Sequence, residues 1–194
     1  MRNTHWIQGD NTCESPLFRR SFSLTRLPSR ALLQVCGLGY FCLYANGRRV
    51  GDQEFAPAPT NYASVLGCDT TYPVWEERAA SRCLYLEHDL TSFLSEGENV
   101  IGFHLGNGWF HQTRRTAEGN FLFGFPKLTF RLTLTWPDGK PQVLDSGPET
   151  LWKPSWLLQN NLFYGERQDF RLLQADWCAP GANLSGWRPA RPSH

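Results

Sequence analysis

No two of the six cysteines are spaced C-x-x-C, which removes the usual footing for a zinc ribbon or a thioredoxin-type redox centre. The five histidines, His5, His88, His104, His111 and His194, never fall into H-x-x-x-H or H-E-x-x-H spacing, so transition-metal hydrolysis has no sequence support. The chain also has no G-x-S-x-G elbow, phosphate-binding loop or dinucleotide fingerprint. No apolar run approaches membrane-spanning length, and polar Met1–Asp10 lacks the apolar stretch of a signal peptide. From these features a soluble, cytoplasmic chain is expected, with a secreted parent left open. Charge is sparse and balanced, with 19% charged residues and a net charge of +1. Without a basic stripe, neither nucleic acid nor an anionic membrane is an expected partner.

What the sequence has in abundance is aromatic side chains and short apolar alternation. Aromatics make up 14% of the residues, eight of them Trp. Such rings pack a core, the commoner use, or line a surface for something flat and apolar, such as the face of a sugar. A chain of this length buries roughly 70% of its unfolded surface, enough for a real core. Leu128, Phe130, Leu132, Leu134 and Trp136 alternate with Thr129, Arg131, Thr133 and Thr135, the period of a half-buried antiparallel strand. Pro137-Asp138-Gly139-Lys140 reads as a turn, with Pro141–Leu144 as its return arm. Ala31–Val35 and Tyr40–Ala45 read as strands separated by a break at Gly37 and Gly39. Asn46-Gly47 is a strong hairpin signal leading into Arg48–Gly51. Leu84–Asp89 and Asn99–Leu105 are further strands, with one helical turn at Asp89–Leu94 between them. Leu162–Leu173 reads as extended, and only Val74–Ser81 suggests a helix. Many short strands with Gly, Pro and Asn turns imply an all-β, antiparallel jelly-roll sandwich. The expected organisation is a lead-in over 1–30, the sandwich over 31–178 and an exit segment over 179–194. The cysteines read as reduced, buried, small apolar side chains rather than as disulfides.

Glycoside hydrolysis needs two carboxylates facing each other across a sugar. Glu166 and Asp169 sit in a conspicuous run, Tyr164-Gly165-Glu166-Arg167-Gln168-Asp169-Phe170-Arg171. Their odd separation places them on opposite faces of a regular strand, and each is expected to pair with a neighbouring Arg. No catalytic residue is therefore assigned. The remaining candidates are polar loop tips beside aromatics, Thr60-Asn61-Tyr62 and Gly106-Asn107-Gly108-Trp109. Asparagine offers a donor and an acceptor to sugar hydroxyls, and its oxygen also suits Ca²⁺. The plainer reading is turn chemistry, with Asn and Gly tolerating positive φ and Trp109 filling the core.

The run Gly37-Leu38-Gly39-Tyr40 followed by Tyr44-Ala45-Asn46-Gly47-Arg48-Arg49-Val50-Gly51-Asp52 resembles the N-terminal domain of bacterial α-L-rhamnosidases, which reads G-x-Y-x-x-x-x-N-G-x-x-V-G-D. Further matches follow in the same order. They are Pro59-Thr60-Asn61-Tyr62, Glu96-Gly97-Glu98-Asn99-Val100-Ile101, Gly106-Asn107-Gly108-Trp109-Phe110, Trp152-Lys153, Gly165-Glu166 with Asp169 and Arg171, and Ser185-Gly186-Trp187. The resemblance implies a galactose-binding-like jelly roll that acts as an accessory module of a glycoside hydrolase. The catalytic carboxylates would lie in a downstream α/α-barrel domain, the expected partner. It also implies possible binding of L-rhamnose-containing glycans, with Asn61, Asn107 and Trp109 as ligand-binding residues and Asn107 as a possible Ca²⁺ ligand; no other cofactor is expected. A free-standing lectin-like protein and a purely structural domain remain as alternatives. The chain departs from the pattern at Ala58, at Tyr72–Cys83, which looks like an insertion, and at Gln168-Asp169-Phe170-Arg171.

Overall fold

The computed structural model describes residues 4–60, 62, 69–70, 82–112, 114, 119–120 and 122–193. In chain order the strands are β1 (Trp6–Gln8), β2 (Pro16–Leu24), β3 (Arg30–Leu38), β4 (Phe41–Ala45), β5 (Arg48–Val50), β6 (Asp69–Thr70), β7 (Leu86–Asp89) and β8 (Gly97–Leu105). They continue with β9 (Gly119–Asn120), β10 (Lys127–Thr135), β11 (Gln142–Asp145), β12 (Leu151–Pro154), β13 (Leu157–Asn161), β14 (Gly165–Gln168), β15 (Arg188–Pro189) and β16 (Arg191–Ser193). Two 3₁₀ turns, Thr91–Phe93 and Phe170–Leu172, are the only helical elements among the described residues. One six-stranded sheet runs β16-β1-β10-β3-β7, with β11 also on β10. The other runs β15-β12-β2-β8-β4-β5. Among the described residues all pairing is antiparallel, and the fold is a jelly-roll β-sandwich.

Alternation builds the core. On β10, Leu128, Phe130, Leu132 and Leu134 are fully buried, while Arg131 on the opposite face forms a two-point ion pair with Asp145 of β11 at 2.7 Å. Each fully buried apolar side chain of this kind contributes about 1.5–3 kcal/mol. Nine residues of β10 pair in register with β3, from Lys127↔Leu38 to Thr135↔Arg30. The facing sheet contributes Phe18, Leu43, Ile101 and Phe103, and the rings of Phe103 and Phe130 stack across the sandwich with centroids 5.1 Å apart.

The Asn46-Gly47 turn has φ of 49° and 78°, the two left-handed residues that a tight hairpin needs, and it joins β4 to β5 at Ala45↔Arg48. Residues 4–29 supply β1 and β2, and residues 179–193 supply β15 and β16. The helix read at Val74–Ser81 falls outside the described residues. The extended reading of Leu162–Leu173 needs correction. Only Gly165–Gln168 is strand, Leu162–Tyr164 is the tip of a hairpin, and Phe170–Leu172 is a 3₁₀ turn. Its apolar letters belong to exposed side chains, not to a buried strand face.

Candidate functional site

The glycines of two motifs are explained by one crossing. Gly39 has φ +98°, and a β-carbon there would lie 2.0 Å from the carbonyl oxygen of Gly106. One on Gly108, φ +49°, would lie 3.1 Å from Gly39. The β3–β4 connection and the loop after β8 therefore touch backbone to backbone, an approach only glycine allows, and the Gly106 N–H donates to the Tyr40 carbonyl at 2.8 Å.

Asn107 sits in this crossing and is fully buried. Its backbone N–H donates to Asn160 Oδ1 at 2.5 Å. Its Nδ2 donates to the Asn160 carbonyl at 2.8 Å and to Glu14 Oε2 at 3.0 Å. Its carbonyl accepts from the N–H groups of Phe110 and His111, both at 3.1 Å. These bonds fix the orientation of the amide and leave Oδ1 buried without a partner. One inward-held amide oxygen is a fitting donor for Ca²⁺, which takes six to eight oxygens. Among the described residues, no cluster of three or more His, Cys, Asp or Glu side chains is placed to hold a metal. Asn61, the other asparagine singled out from sequence, lies outside the described residues.

Trp109 is half-buried. It bonds to the Tyr40 hydroxyl, which as an indole it can only do as donor, and it meets Phe163 edge-on with centroids 5.4 Å apart. Trp109 and Asn107 thus both meet the β13–β14 hairpin, at Phe163 and Asn160 respectively.

Beside this crossing is an open cleft of about 450 Å³, bounded by β4, the loop at Glu54 and Phe55, the end of β8 and the β13–β14 hairpin. Tyr40, Phe55 and Trp156 supply aromatic walls, and Glu54, Asn161, Glu166 and Gln168 supply polar groups. At its base His104 is bonded through Nε2 to Ser15 Oγ at 2.9 Å and Ser155 Oγ at 3.1 Å. Ser15 spends its own proton on the Leu105 carbonyl at 2.7 Å, so Nε2 carries the hydrogen of a neutral ring. Burial pulls the His104 pKa down to about 4. Tyr40 and Cys42 are both pushed up by burial.

The carboxylates named from sequence resolve differently from the expectation of two Arg partners. Asp169 does pair with Arg171, through two bonds at 2.6 and 2.8 Å, and this arginine holds its carboxyl below the ordinary range. Glu166 instead accepts from Gln168 Nε2 at 2.7 Å, because two residues along a strand share a face. Asn160, Glu14 and the Ser15–His104–Ser155 group carry no sequence motif. Asn46 and Asn99, both motif residues, join each other, with Asn46 Nδ2 donating to Asn99 Oδ1 at 2.8 Å.

The α-L-rhamnosidase N-terminal domain family matches residues 26–77 and 72–194. The two matched segments meet at the start of the stretch 72–83 read as an insertion. An α-L-rhamnosidase of Formosa agariphila is 29% identical over 188 residues, 93% of this chain and 18% of its own length. One from Streptomyces avermitilis is 29% identical over 86% of this chain and 15% of its length. Among solved structures, the α-L-rhamnosidase of Dictyoglumus thermophilum superposes with TM-score 0.81 at 25% identity, over 99% of this chain and 21% of that one. The S. avermitilis enzyme complexed with L-rhamnose gives 0.78 at 27%, over 94% and 16%. A Pleurotus ostreatus lectin shares the fold alone, with TM-score 0.58 at 14% identity, over 98% of this chain and 41% of that one. The chain spans less than a fifth of the length of the curated relatives it matches. With the family covering the sandwich from β3 to β16, this chain belongs to the α-L-rhamnosidase N-terminal domain family.

Proposed function

We propose that the chain is the accessory module of an α-L-rhamnosidase, supporting a separate catalytic domain and touching L-rhamnose-bearing glycans without hydrolysing them itself. The observation that carries this reading is the disproportion of the match. The family runs through nearly the whole chain, yet the chain accounts for about 18% of a related enzyme. The remainder of such an enzyme has ample length for an α/α-barrel catalytic domain.

Two features of the surface support the reading. Leu158, Phe163, Tyr164, Phe170, Leu172 and Leu173 are all exposed on the β13–β14 hairpin and the turn after it. A concentration of large apolar side chains in one stretch suits packing against further polypeptide, and the proposed occupant is the catalytic domain. Meanwhile the sequence-named carboxylates are engaged elsewhere, Asp169 with Arg171 and Glu166 with Gln168. Both Glu54 and Glu166 border the cleft, but both are exposed. Neither has the apolar enclosure that readies a carboxyl to act as a general acid.

Sugar contact in this reading falls to the Asn61, Asn107 and Trp109 loops, with Ca²⁺ held in part through Asn107 Oδ1. The test has two arms. In the first, the chain is assayed on an aryl α-L-rhamnoside; turnover above the buffer rate that Glu54→Gln or Glu166→Gln abolishes would sink the non-catalytic reading. In the second, L-rhamnose is titrated by NMR with Ca²⁺ and with chelator. Shifts that need Ca²⁺ are expected, and identical spectra with and without sugar would remove the binding role.

A further inference from the structure

We propose that the cleft between Tyr40, Phe55, Trp156 and the β13–β14 hairpin is a second carbohydrate subsite, one that takes an uncharged pyranose without metal and opens beside the Gly106-Asn107-Gly108 loop, with Gly106 and Gly108 but not Asn107 in its lining. Its volume of about 450 Å³ is within the range of small-molecule sites. The proposal rests on the backbone at Phe55, on the chemistry of the walls and on their charge.

Phe55 is a bulky residue at φ +52°, a left-handed conformation that is strained for such a side chain. The strain secures no core packing, since the ring is 70% exposed. It places the ring edge-on to Tyr40, centroids 5.5 Å apart, at the rim of the cleft. An aromatic face held out into solvent by a strained backbone suits the apolar face of a sugar ring. Trp156 forms a further part of the wall. Its position is set from behind by His104, whose ring lies 4.7 Å away between centroids and is itself pinned by Ser15 and Ser155.

The polar groups match hydroxyls. Arg49 engages only Oε1 of Glu54, at 2.6 Å, and Gln168 engages only Oε2 of Glu166, at 2.7 Å. Each carboxylate keeps an oxygen that can accept from a hydroxyl. Asn161 Oδ1 is committed to the N–H groups of Phe163 and Tyr164 at 2.9 and 3.1 Å, which leaves Asn161 Nδ2 as a donor without an acceptor. No Lys or Arg lines the cleft. Glu54 is compensated by Arg49, whereas Glu166 has only the neutral Gln168 on it; this one uncompensated carboxylate disfavours a uronate or a phosphorylated sugar and leaves a neutral pyranose as the fitting ligand.

The experiment is saturation-transfer NMR on the full chain in excess chelator, with methyl α-L-rhamnopyranoside, methyl β-D-galactopyranoside and D-glucuronate as probes. At least one neutral glycoside is expected to bind with a Kd on the order of millimolar, with glucuronate at least about tenfold weaker. Phe55→Ala removes an exposed ring, leaves the core intact and is expected to weaken binding at least about fivefold. Glu166→Gln is expected to bring glucuronate to within about threefold of the neutral sugar. Absence of saturation transfer from both neutral glycosides, or binding that Phe55→Ala leaves unchanged, overturns the subsite. So does glucuronate binding as tightly as the neutral probes in the unaltered chain. Chelator silences any Ca²⁺-dependent contact at Asn107, so loss of the cleft subsite and loss of the proposed loop-tip site are read separately.

Discussion

Asn107 holds Asn160 by donating two hydrogen bonds to it, from its backbone N–H to Asn160 Oδ1 and from its Nδ2 to the Asn160 carbonyl. The pair fastens the loop after β8 to the β13–β14 hairpin, and Glu14 closes the group from the N-terminal side. Removing one member of a buried polar set leaves its partners unsatisfied, which costs more than the bond itself contributes. Asn107→Ala is therefore expected to destabilise the fold by about 2–3 kcal/mol, a drop in melting temperature of roughly 4–12 °C for a domain of this size. Thermal denaturation followed by circular dichroism measures it. Asn107→Asp is expected to be worse at neutral pH, since it sets a carboxylate against Glu14, and to recover on mild acidification. A near-neutral effect of both changes would show that the network does not hold the hairpin.

The same residue marks how far the sequence could be read. The alternation of β10 was legible because its apolar side chains fall on one face and meet the partner sheet. The β4–β5 hairpin was legible because Asn46-Gly47 adopts the two positive φ values its letters favour. The Gly106-Asn107-Gly108 motif was visible, but its environment was not. Flanking glycines suggest a solvent-exposed turn as readily as a buried backbone crossing, and only the fold puts Gly39 against Gly106. Asn160 was invisible for a different reason. It sits in Leu158-Gln159-Asn160-Asn161, with no periodicity or spacing to set it apart, and its role comes from a partner 53 residues away. The cleft is assembled from stretches far apart in the chain, so no local pattern could reveal it.

His104 makes stability fall in weak acid. Burial lowers its pKa from the ordinary 6.5 to about 4 in the folded chain. Above pH 6.5 both folded and unfolded forms are neutral, and the full stability is present. Between about 6.5 and about 4 the unfolded chain takes up a proton that the folded chain refuses, so stability drops as the pH falls through that window. The loss attributable to this ring is about 3 kcal/mol at most. Burial shifts His88 and His111 in the same direction, so His104→Gln is expected to flatten the profile without abolishing it. Urea melts at a series of pH values from 7 to 4 provide the check. An unchanged slope in the variant would mean that His104 is not the main titrating group.

Cys83 is expected to be modified before Cys36, although the two side chains are in contact. Cys83 is exposed, and its pKa falls to about 7 because the Cys36 thiol hydrogen-bonds to it, with Lys127 adding a smaller pull. Cys36 is shifted the other way, first by that same bond and then by burial. Burial also pushes Cys13 up to about 11 and Cys178 up to about 12. The thiolate is the reactive form, so limited iodoacetamide at neutral pH should label the Cys83 peptide well ahead of those carrying Cys13, Cys36 and Cys178. Peptide mass spectrometry over a time course reads the order directly, and comparable labelling of Cys36 and Cys83 would contradict it.

Arg19 is a cation buried on the outer face of β2, beneath the C-terminal segment. Its Nη2 reaches the Ala179 carbonyl and Ser21 Oγ, both at 3.3 Å, while Nε and Nη1 have no acceptor. Burial pulls its pKa down, the sign of a charge held where it is poorly solvated. The Trp187 ring, 5.8 Å from the guanidinium carbon, gives only partial compensation. A buried charge without a matched carboxylate loses more solvation than two long hydrogen bonds return. Arg19→Met keeps the aliphatic volume against Trp187, and the expected result is a gain of about 1–2 kcal/mol. Arg19→Ala also removes the charge but opens a cavity, and is expected to cost about 1–3 kcal/mol. Chemical denaturation of the two variants side by side separates packing from charge. If Arg19→Met proves as damaging as Arg19→Ala, the guanidinium contributes specific stabilisation that the two observed bonds do not account for.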